Sequence, residues 1–368
     1  QNTAVSNDEA TTSQNGGTKL AVAAGYVETE IDQQKSSRTN NPNKIATGNL
    51  INGNTSNSFA SDPILNNLNK DKYQVFEVHI LNEGWYVKIE DQKLPINRAD
   101  FSFEHNGIKI KFDLAVNTIH GTPGEDGHLQ SYWELIDLPY TGCGFYQSAL
   151  TFSKRDTLSV LGKFDIPKAN SVYITKGQVI DGEKIANTLG FPFFVKPNQS
   201  GSSLGISMVK ELSEFDKALA FAFAEDKDIL IESQLKGVEI SVGVMKLNGN
   251  TKVLGITEIV SENDFFDYEA KYLGKSEEIT PARLSPEISE LVEKSAAKIY
   301  EALGMQGFSR IDFIVMNDIP YFIEINTNPG LSPQSIFPQQ AAYANLNFSD
   351  LLENEIKLAL ERKPIWKK

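Results

Sequence analysis

The 368-residue chain carries a formal net charge of −13 and is 40% hydrophobic, values that fit an ordinary globular protein. The acidic balance argues against general nucleic-acid binding, which needs many lysine and arginine contacts to phosphates. No apolar run approaches the roughly 20 residues that span a bilayer, and the single cysteine, Cys143, excludes an internal disulfide. We therefore expect a cytoplasmic protein, with neither nucleic acid nor membrane as a partner.

Residues 1–62 form a polar segment unlike the rest of the chain. They are dominated by Asn, Ser, Thr, Gln and Gly, a composition that buries too little apolar surface to order by itself. The exception is the apolar run KLAVAAGYVETEI at 19–31. Two interpretations are open for it: a buried strand that leads into a turn, or a chance apolar patch in a polar tail.

The next part of the chain has the alternation of an α/β protein. The pattern predicts strands at 73–80, 85–90 and 112–120, a helix at 128–136, and a short strand and turn at 138–144. The third strand is a near-continuous apolar run, as expected of a buried parallel strand. In an open α/β sheet the ligand site lies at the carboxyl ends of such strands.

After Lys154 the pattern changes to several short strands and longer hairpins. We predict strands at 193–197, 205–210 and 229–233, a helix at 211–224, a hairpin of 238–248 and 252–260 across Gly249, an amphipathic helix at 286–304, and strands at 308–316 and 321–330. The fold class is therefore α/β with α+β elements.

A loop rich in small residues follows the predicted strand at 193–197. The segment KPNQSGSSLGISMV at 196–209 has backbone amides that can close over a phosphate. Lys196, at the end of the strand, supplies the positive charge that such a site needs. The segment is not a Walker loop, because no Gly-Lys-Ser/Thr follows. A flexible hairpin tip is the alternative interpretation.

Two predicted strands near the carboxyl end carry polar residues at alternate positions. Side chains two apart in a strand share a face, so Arg310 lies beside Asp312, and Glu324 beside Asn326. If the strands pair, two carboxylates and one amide oxygen converge next to one arginine. Hard oxygen ligands of this kind suit Mg²⁺, which takes one or two carboxylates together with nucleotide phosphates. The alternative is an exposed strand face with a stray ion pair.

The segment ILIESQLKGVE at 229–239 joins two further predicted strands. Glu232 ends the first strand, Glu239 begins the second, and Lys236 and Gly237 form the turn. Such a connection can offer backbone groups to a nucleotide base and a carboxylate to ribose hydroxyls. A plain hairpin is the simpler interpretation.

The segment HGTPGEDGHLQ at 120–130 is rich in glycine. A strand ends at His120, and a helix opens after Asp126. The amino end of a helix attracts anions, here a carboxylate substrate. A structural histidine with its hydrogen bonds satisfied is the competing interpretation.

Taken in order, these segments resemble the D-alanine–D-alanine ligases of the ATP-grasp superfamily. Five motifs carry the resemblance over about residues 63–368: HGTPGEDG, YTGCG, VKPNQSGSSLGIS, DYEAKYL at 267–273, and RIDF followed by EINTNPG. It implies an ATP-grasp fold. The expected parts are the atypical segment 1–62, an amino-terminal open parallel α/β domain at 63–152, a central small subdomain at 153–236 and a carboxy-terminal mixed-sheet subdomain at 237–368.

The resemblance also implies roles for individual residues. ATP phosphates would contact Lys154, Lys196 and Ser203, while Glu232 and the backbone near Leu235 would hold the adenine and Glu239 the ribose. Asp312, Glu324 and Asn326 would hold two Mg²⁺ ions, with Mn²⁺ as a possible substitute. The remaining residues would face the two D-alanines. Arg310 and the Gly330 amide would stabilise the oxyanion, His120 would lie near the first substrate, and Ser335 and the Ile336 backbone would bind the second. Lys271 and Tyr272 would belong to a closing loop, where Tyr272 pairs with Ser202.

The implied reaction ligates two D-alanine molecules through an acyl phosphate, for peptidoglycan precursor synthesis, in a homodimer. The amino end departs from the family pattern, because some twenty extra polar residues follow the first apolar run. Glu28 is the counterpart we expect for the glutamate that orients the first substrate. Either residues 19–31 dock as the first strand, or that strand and its glutamate are missing. The alternatives are therefore another ATP-grasp carboxylate–amine ligase, such as a D-alanine–D-lactate ligase, or an inactive nucleotide-binding homologue.

Overall fold

The computed structural model describes residues 20–26, 67–82, 84–201, 204–261 and 276–363. Within these ranges the strands form three large sheets, of five, four and five strands, and one two-stranded hairpin. Among the helices of the same ranges, none has both the length and the apolar character that crossing a bilayer requires.

The first sheet is mixed, with its parallel part at one side. Its strands are β1 (Leu20–Tyr26), β2 (Tyr73–Leu81), β3 (Gly84–Ile89), β4 (Gln92–Pro95) and β7 (Leu114–Val116), in the order β4-β3-β2-β1-β7, while β5 (Phe103–His105) and β6 (Ile108–Ile110) pair separately. Strand β1 lies parallel to both β2 and β7. Residues 20–26 of the apolar run at 19–31 are therefore a docked strand, and the interpretation of the run as a chance patch is wrong.

The predicted strand at 112–120 is shorter than its apolar run suggested. Only β7 pairs within the sheet, because the next amide, that of Asn117, donates to the Thr141 hydroxyl instead of to a neighbouring strand (3.1 Å). The strand predicted at 138–144 is reduced to a single bridge between Tyr140 and Ala115. The predicted helix is confirmed as α1 (His128–Leu135), and it is followed by α2 (Phe145–Phe152) and α3 (Lys154–Leu161).

The second sheet is small and antiparallel. It contains β8 (Ser171–Thr175), β9 (Phe193–Pro197), β10 (Ser207–Val209) and β11 (Asp228–Ser233), in the order β10-β9-β11-β8. Helices α4 (Gly182–Leu189) and α5 (Phe215–Ala222) cover it through a core that includes Phe193, Val195, Phe215 and Ile231. The loop predicted to close over phosphate connects β9 to β10, which pair with each other.

The third sheet contains the two strands that carry Arg310, Asp312, Glu324 and Asn326. It contains β12 (Val238–Leu247), β13 (Asn250–Ser261), β14 (Ser276–Ile279), β15 (Ser309–Met316) and β16 (Ile319–Asn326), in the order β14-β13-β12-β15-β16. The predicted hairpin across Gly249 is confirmed. The hairpin predicted at 229–239 is wrong, because β11 pairs only in the second sheet and β12 only in the third. Residues 234–237 therefore pass from one sheet to the other.

Helices cover both faces of the third sheet. Helix α6 (Pro286–Ala302) begins with Ser285 as its N-cap and proline in its first turn, and it packs with Ile240 and Val242. Helices α7 (Ile336–Tyr343) and α8 (Phe348–Glu361) share a core with Met245 on the other side. Arg310, Asp312 and Ser241 lie on the α7 side, because β12 and β15 place Ser241 opposite Asp312 and Gly243 opposite Arg310.

Candidate active site

The centre of the site is the paired strands β15 and β16. Their register sets Arg310 opposite Asn326 and Asp312 opposite Glu324, so all four side chains share one face, as the sequence predicted. The Arg310 guanidinium donates to both oxygens of Asp312 at 3.2 Å, and Asn326 Nδ2 donates to Asp312 Oδ2 at 3.3 Å. Asp312 is only 7% exposed. The interpretation as an exposed strand face with a stray ion pair is therefore wrong.

A residue on a third strand completes the hydrogen bonds of Asp312. The hydroxyl of Ser241 donates to Asp312 Oδ1 at 2.6 Å, and its side chain is fully buried. The sequence analysis missed Ser241. Only its position could have indicated a role, because a small hydroxyl residue in the middle of an apolar strand needs a buried hydrogen-bond partner.

Arg310 is the cation among the carboxylates of this face. Burial lowers the pKa of Arg310, but the carboxylates of Asp312, Glu324 and Glu278 outweigh burial, so the net shift is upward. Burial raises the pKa of Glu278, and Arg310 opposes that rise. Arg310 therefore stays a cation at the centre of several carboxylates, as a group that stabilises developing negative charge must.

Two lysines, one from the second sheet and one from α3, lie near Glu324. Lys196, on β9, forms an ion pair with Glu232, on β11 (Nζ to Oε2, 2.7 Å), and both side chains are largely buried. Burial lowers the pKa of Lys196, yet Glu232, Glu324 and Glu239 together raise it further, so the net shift is upward. Lys154, at the start of α3, donates to the carbonyl of Ser200 at 2.8 Å and lies 3.5 Å from Glu324.

The segment between the second and third sheets carries the other predicted nucleotide residues. Leu235 is half-buried within it, and Glu239 is half-buried near the start of β12. Gly237 has the backbone of Val315 so close that a Cβ there would lie 2.0 Å from the Val315 carbonyl oxygen. The crossing is thus held against β15, and it lies beside the ion pair of Lys196 and Glu232.

The glycine-rich segment at 120–130 joins the same site from the first sheet. His120 is exposed, which argues against a histidine satisfied inside a core. The amide of Gly121 donates to Glu125 Oε2 at 2.6 Å. Burial raises the pKa of Glu125, while His120 and Arg310 lower it and Glu324 raises it, so this carboxylate lies in the field of the β15–β16 cluster. Glu125 was quoted in the motif but given no role by the sequence analysis.

The segment after β16 brings the last predicted residues into place. Asn328 Nδ2 donates to the Ile119 carbonyl at 2.9 Å, which ties this segment to the one before His120. Ser335 is the N-cap of α7, and its hydroxyl lies 2.8 Å from that of Ser332. A Cβ on Gly330 would lie 2.7 Å from Ser335 Oγ, so glycine is needed there for this approach. Ile336 is the first residue of α7.

The remaining predicted residues lie outside the described part of the chain. They are Glu28, Ser202, Ser203, Lys271 and Tyr272. Their predicted roles are therefore unaffected by the geometry given above. Described residues come before or after several of them in the sequence. Ser200, which accepts a hydrogen bond from Lys154, precedes Ser202, and β14 begins at Ser276, after Tyr272.

The residues of the cluster suit a divalent ion that is shared with nucleotide phosphates. No group of three or more His, Cys, Asp or Glu side chains is placed to hold a metal ion anywhere in the described ranges. The β15–β16 face instead offers two carboxylates, Asp312 and Glu324, and the amide of Asn326 in cross-strand register. Mg²⁺ is commonly held by one or two carboxylates plus phosphates. This donor set fits such an ion.

Comparison with known proteins places the chain in a family. The family description "D-ala D-ala ligase C-terminus" matches residues 160–357, and "D-ala D-ala ligase N-terminus" matches residues 57–143. A D-alanine–D-alanine ligase of Flavobacterium psychrophilum is 72% identical over 305 residues, 83% of this chain and 93% of that protein.

More distant relatives agree. A D-alanine–D-alanine ligase of Flavobacterium johnsoniae is 54% identical, over 80% of this chain and 91% of that protein. The crystal structure of a D-Ala:D-Ser ligase, VanG, from Enterococcus faecalis superposes with a TM-score of 0.77 at 27% identity, over 93% of this chain and all of that one. This chain belongs to the D-alanine–D-alanine ligase family and has its ATP-grasp fold.

Proposed function

We propose that this protein ligates two D-alanine molecules to D-alanyl-D-alanine, with one ATP consumed, for the synthesis of peptidoglycan precursors. The observation that carries the proposal is the convergence of Arg310, Asp312 and Glu324 with Lys154, beside the segment that follows β16. Phosphoryl transfer needs positioned charge more than covalent catalysis, and this cluster supplies it. The 72% identical relative, itself named as such a ligase, supports the choice of substrate.

We assign nucleotide binding to the residues around the segment that joins the second and third sheets. Lys154 and Lys196 bind phosphate oxygens, together with Ser203. A lysine ammonium has three donors, so Lys196 can keep its bond to Glu232 while it donates to a phosphate. Glu232 and the backbone near Leu235 bind the adenine, and Glu239 binds the ribose hydroxyls.

The divalent ions belong at Asp312, Glu324 and Asn326. Mg²⁺ is the ion we propose, in two positions, with Mn²⁺ able to replace it because both accept hard oxygen ligands. Bound there, the ions neutralise charge on the transferring phosphoryl group. Asn326 presents Nδ2 to Asp312, so its Oδ1 is the atom available as a ligand on the other side of the amide.

The first step forms an acyl phosphate. A carboxylate oxygen of the donor D-alanine attacks the γ-phosphorus, the bond to the β-phosphate oxygen breaks, and ADP leaves. His120 lies at the edge of this site and contacts the donor, while Glu125 holds the amide of Gly121 and so fixes the segment. Glu28 is proposed to orient the donor amine.

The second step joins the two amino acids. The neutral amine of the acceptor D-alanine attacks the acyl carbon and loses one proton to solvent as the amide forms, and the tetrahedral oxyanion is stabilised by Arg310 and the Gly330 amide. Collapse expels inorganic phosphate, which carries away a former carboxylate oxygen. The acceptor's carboxylate is held by the Ser335 hydroxyl and the Ile336 amide, at the amino end of α7.

Several further parts of the proposal follow from family membership. Ser202, Lys271 and Tyr272 belong to loops that close over the site and exclude water from the acyl phosphate. We propose the division 1–62, 63–152, 153–236 and 237–368 for the segments of the chain, and a homodimer that works in the cytoplasm, where ATP is supplied.

The test is phosphate release from ATP and Mg²⁺, with and without D-alanine, with the product identified by mass. We expect release that depends on D-alanine and a dipeptide product. The variant Asp312→Asn keeps the side-chain size and removes the charge, so it should lose at least about a hundredfold in kcat. Asp350→Asn, an exposed position on α8, is the matched control and should retain full activity. ATP binding without turnover in the unaltered protein would contradict the proposal.

A further inference from the structure

Helix α7 packs over a pair of glycines in the third sheet. Gly243 of β12 and Gly255 of β13 lie directly opposite each other in the antiparallel register. A Cβ on Gly243 would lie 2.3 Å from Gln340 Oε1, and a Cβ on Gly255 would lie 3.2 Å from Tyr343 Cδ1. A larger residue at Gly243 would therefore displace the side-chain amide of Gln340.

Gln340 occupies the space that these glycines leave. Its side chain is fully buried in the middle of α7, and Nε2 donates to the Ser241 carbonyl at 2.8 Å and to Thr257 Oγ1 at 2.9 Å. The Ser241 carbonyl can only accept, which fixes the orientation of the amide. Thr257 Oγ1 in turn lies 2.7 Å from Thr280 Oγ1.

This polar network reaches the cluster on β15. Ser241, whose carbonyl receives the Gln340 amide, also donates its hydroxyl to Asp312 Oδ1. Helix α7 and the Asp312 carboxylate are therefore both hydrogen-bonded to the same residue of β12, Ser241. Gln340 Oε1 is buried and has no hydrogen-bond partner among the described residues, so the amide is held through its two Nε2 bonds alone. Because hydrogen bonds are directional, these two bonds specify the helix position more sharply than apolar packing does.

The other end of α7 is the proposed acceptor site. Gln340 follows Ser335 by five residues, about 7.5 Å along the helix axis. Phe337 and Ala341 hold the helix in the core that it shares with the sheet through apolar contacts, which are not directional and leave the helix freer to slide than hydrogen bonds do. The amide of Gln340 removes that freedom, because its two hydrogen bonds are satisfied at only one position of the helix.

We propose that Gln340 is a positioning residue for the acceptor amino acid. Through its bonds to Ser241 and Thr257 it sets the distance between the amino end of α7, which receives the acceptor's carboxylate, and the Asp312–Arg310 pair. The inference rests on the proposed function and names a residue that controls acceptor binding without touching it. Its mutation should therefore alter the acceptor KM and leave nucleotide binding alone.

The test is Gln340→Met, which keeps the volume and removes both bonds. Initial rates over a range of D-alanine concentrations, fitted to a two-site rate law, give separate KM values for donor and acceptor. We expect the acceptor KM to rise about tenfold, the equivalent of about 1.4 kcal/mol. The donor KM and the KM for ATP should stay within about twofold.

Asn354→Leu is the matched control. Asn354, on α8, also donates its side-chain amide to a carbonyl of β12, that of Lys246 (2.8 Å), but it lies at the far end of the hairpin. We expect this variant to lower the melting temperature and leave both D-alanine KM values unchanged. A purely structural role for Gln340 would make the two variants behave alike.

Two results would overturn the inference. The first is a Gln340→Met protein with an unchanged acceptor KM. If that variant does not fold, Thr257→Val is the second test, because this isosteric change removes one of the two hydrogen bonds that Gln340 donates. We expect the acceptor KM of this variant to rise severalfold. An unchanged acceptor KM would overturn the inference. Absence of D-alanine-dependent turnover in the unaltered protein would instead reject the proposed function itself.

Discussion

Glu355 makes the stability of this protein depend on pH in an unusual direction. It lies on α8, is 3% exposed, and its Oε1 has no hydrogen-bond partner among the described residues. Burial raises its pKa from 4.5 to about 8, although Arg362 and the Gly142 amide oppose the rise. Arg362 itself donates to the Gly142 carbonyl and stacks over Tyr140. We therefore expect the Glu355 carboxyl to be protonated in the folded protein at neutral pH.

The sign and size of the effect follow from proton linkage. Between pH 4.5 and about 8 the unfolded chain has released this proton and the folded protein still binds it. The free energy of unfolding therefore falls as pH rises through this window. The two pKa values differ by about 3.5, so at about 1.4 kcal/mol per pH unit the loss has an upper bound of about 5 kcal/mol.

The assay is urea unfolding at pH 5, 6, 7 and 8 and constant ionic strength, for the unaltered protein and Glu355→Gln. The amide has nearly the same shape and no charge at any pH. We expect its unfolding free energy to fall less with pH, and the variant to be the more stable protein at pH 8 by a few kcal/mol. Glu361→Gln, at an exposed position of the same helix, is the control and should follow the unaltered protein. Parallel curves for Glu355→Gln and the unaltered protein would refute the reasoning, because they would mean that Arg362 keeps Glu355 ionised.

Two further substitutions test the packing and charge of the site. Lys196→Met should weaken ATP binding at least about tenfold, as measured by calorimetry, and should leave Glu232 buried without its cation. The double variant with Glu232→Gln should therefore lose less unfolding free energy than the sum of the losses in the two single variants. A double-mutant cycle checks this, and additive losses would contradict it. Gly307→Ala should lower the unfolding free energy by about 2 kcal/mol or more, since its φ is 70° and a Cβ would lie 2.5 Å from a backbone carbon. Gly84→Ala, where a Cβ meets nothing within 4 Å, is the control for urea titrations, and equal losses in both would contradict the steric argument.

Local sequence patterns were sufficient for the centre of the site. The alternation of side chains along a strand was enough to put Arg310 beside Asp312 and Glu324 beside Asn326, and the register of β15 and β16 then brought the pairs together. The apolar run at 19–31 contained a strand because seven residues found two parallel partners, β2 and β7. Neighbours in the sequence predicted the two residue pairs, whereas pairing with β2 and β7 decided that the apolar run is a strand.

Local sequence patterns could not predict contacts between segments that are far apart in the chain. The bond from Ser241 to Asp312 joins residues 71 apart, and the bond from Gln340 to the Ser241 carbonyl joins residues 99 apart. The segment at 229–239 was predicted as a hairpin because its turn residues are compatible with one, and local sequence does not say with which strand β11 will pair. Pairing in another sheet overrode the local preference.

The fate of the carboxylate oxygen tests the central claim most directly. The donor D-alanine, labelled with ¹⁸O in its carboxylate, is incubated with ATP, Mg²⁺ and the protein, and the released phosphate is analysed by mass. If the carboxylate attacks the γ-phosphorus and the acyl phosphate then collapses at the Arg310–Asp312 cluster, each dipeptide formed is accompanied by one phosphate that carries the label. Unlabelled phosphate would mean that water, not the substrate, attacks ATP, and would contradict the account.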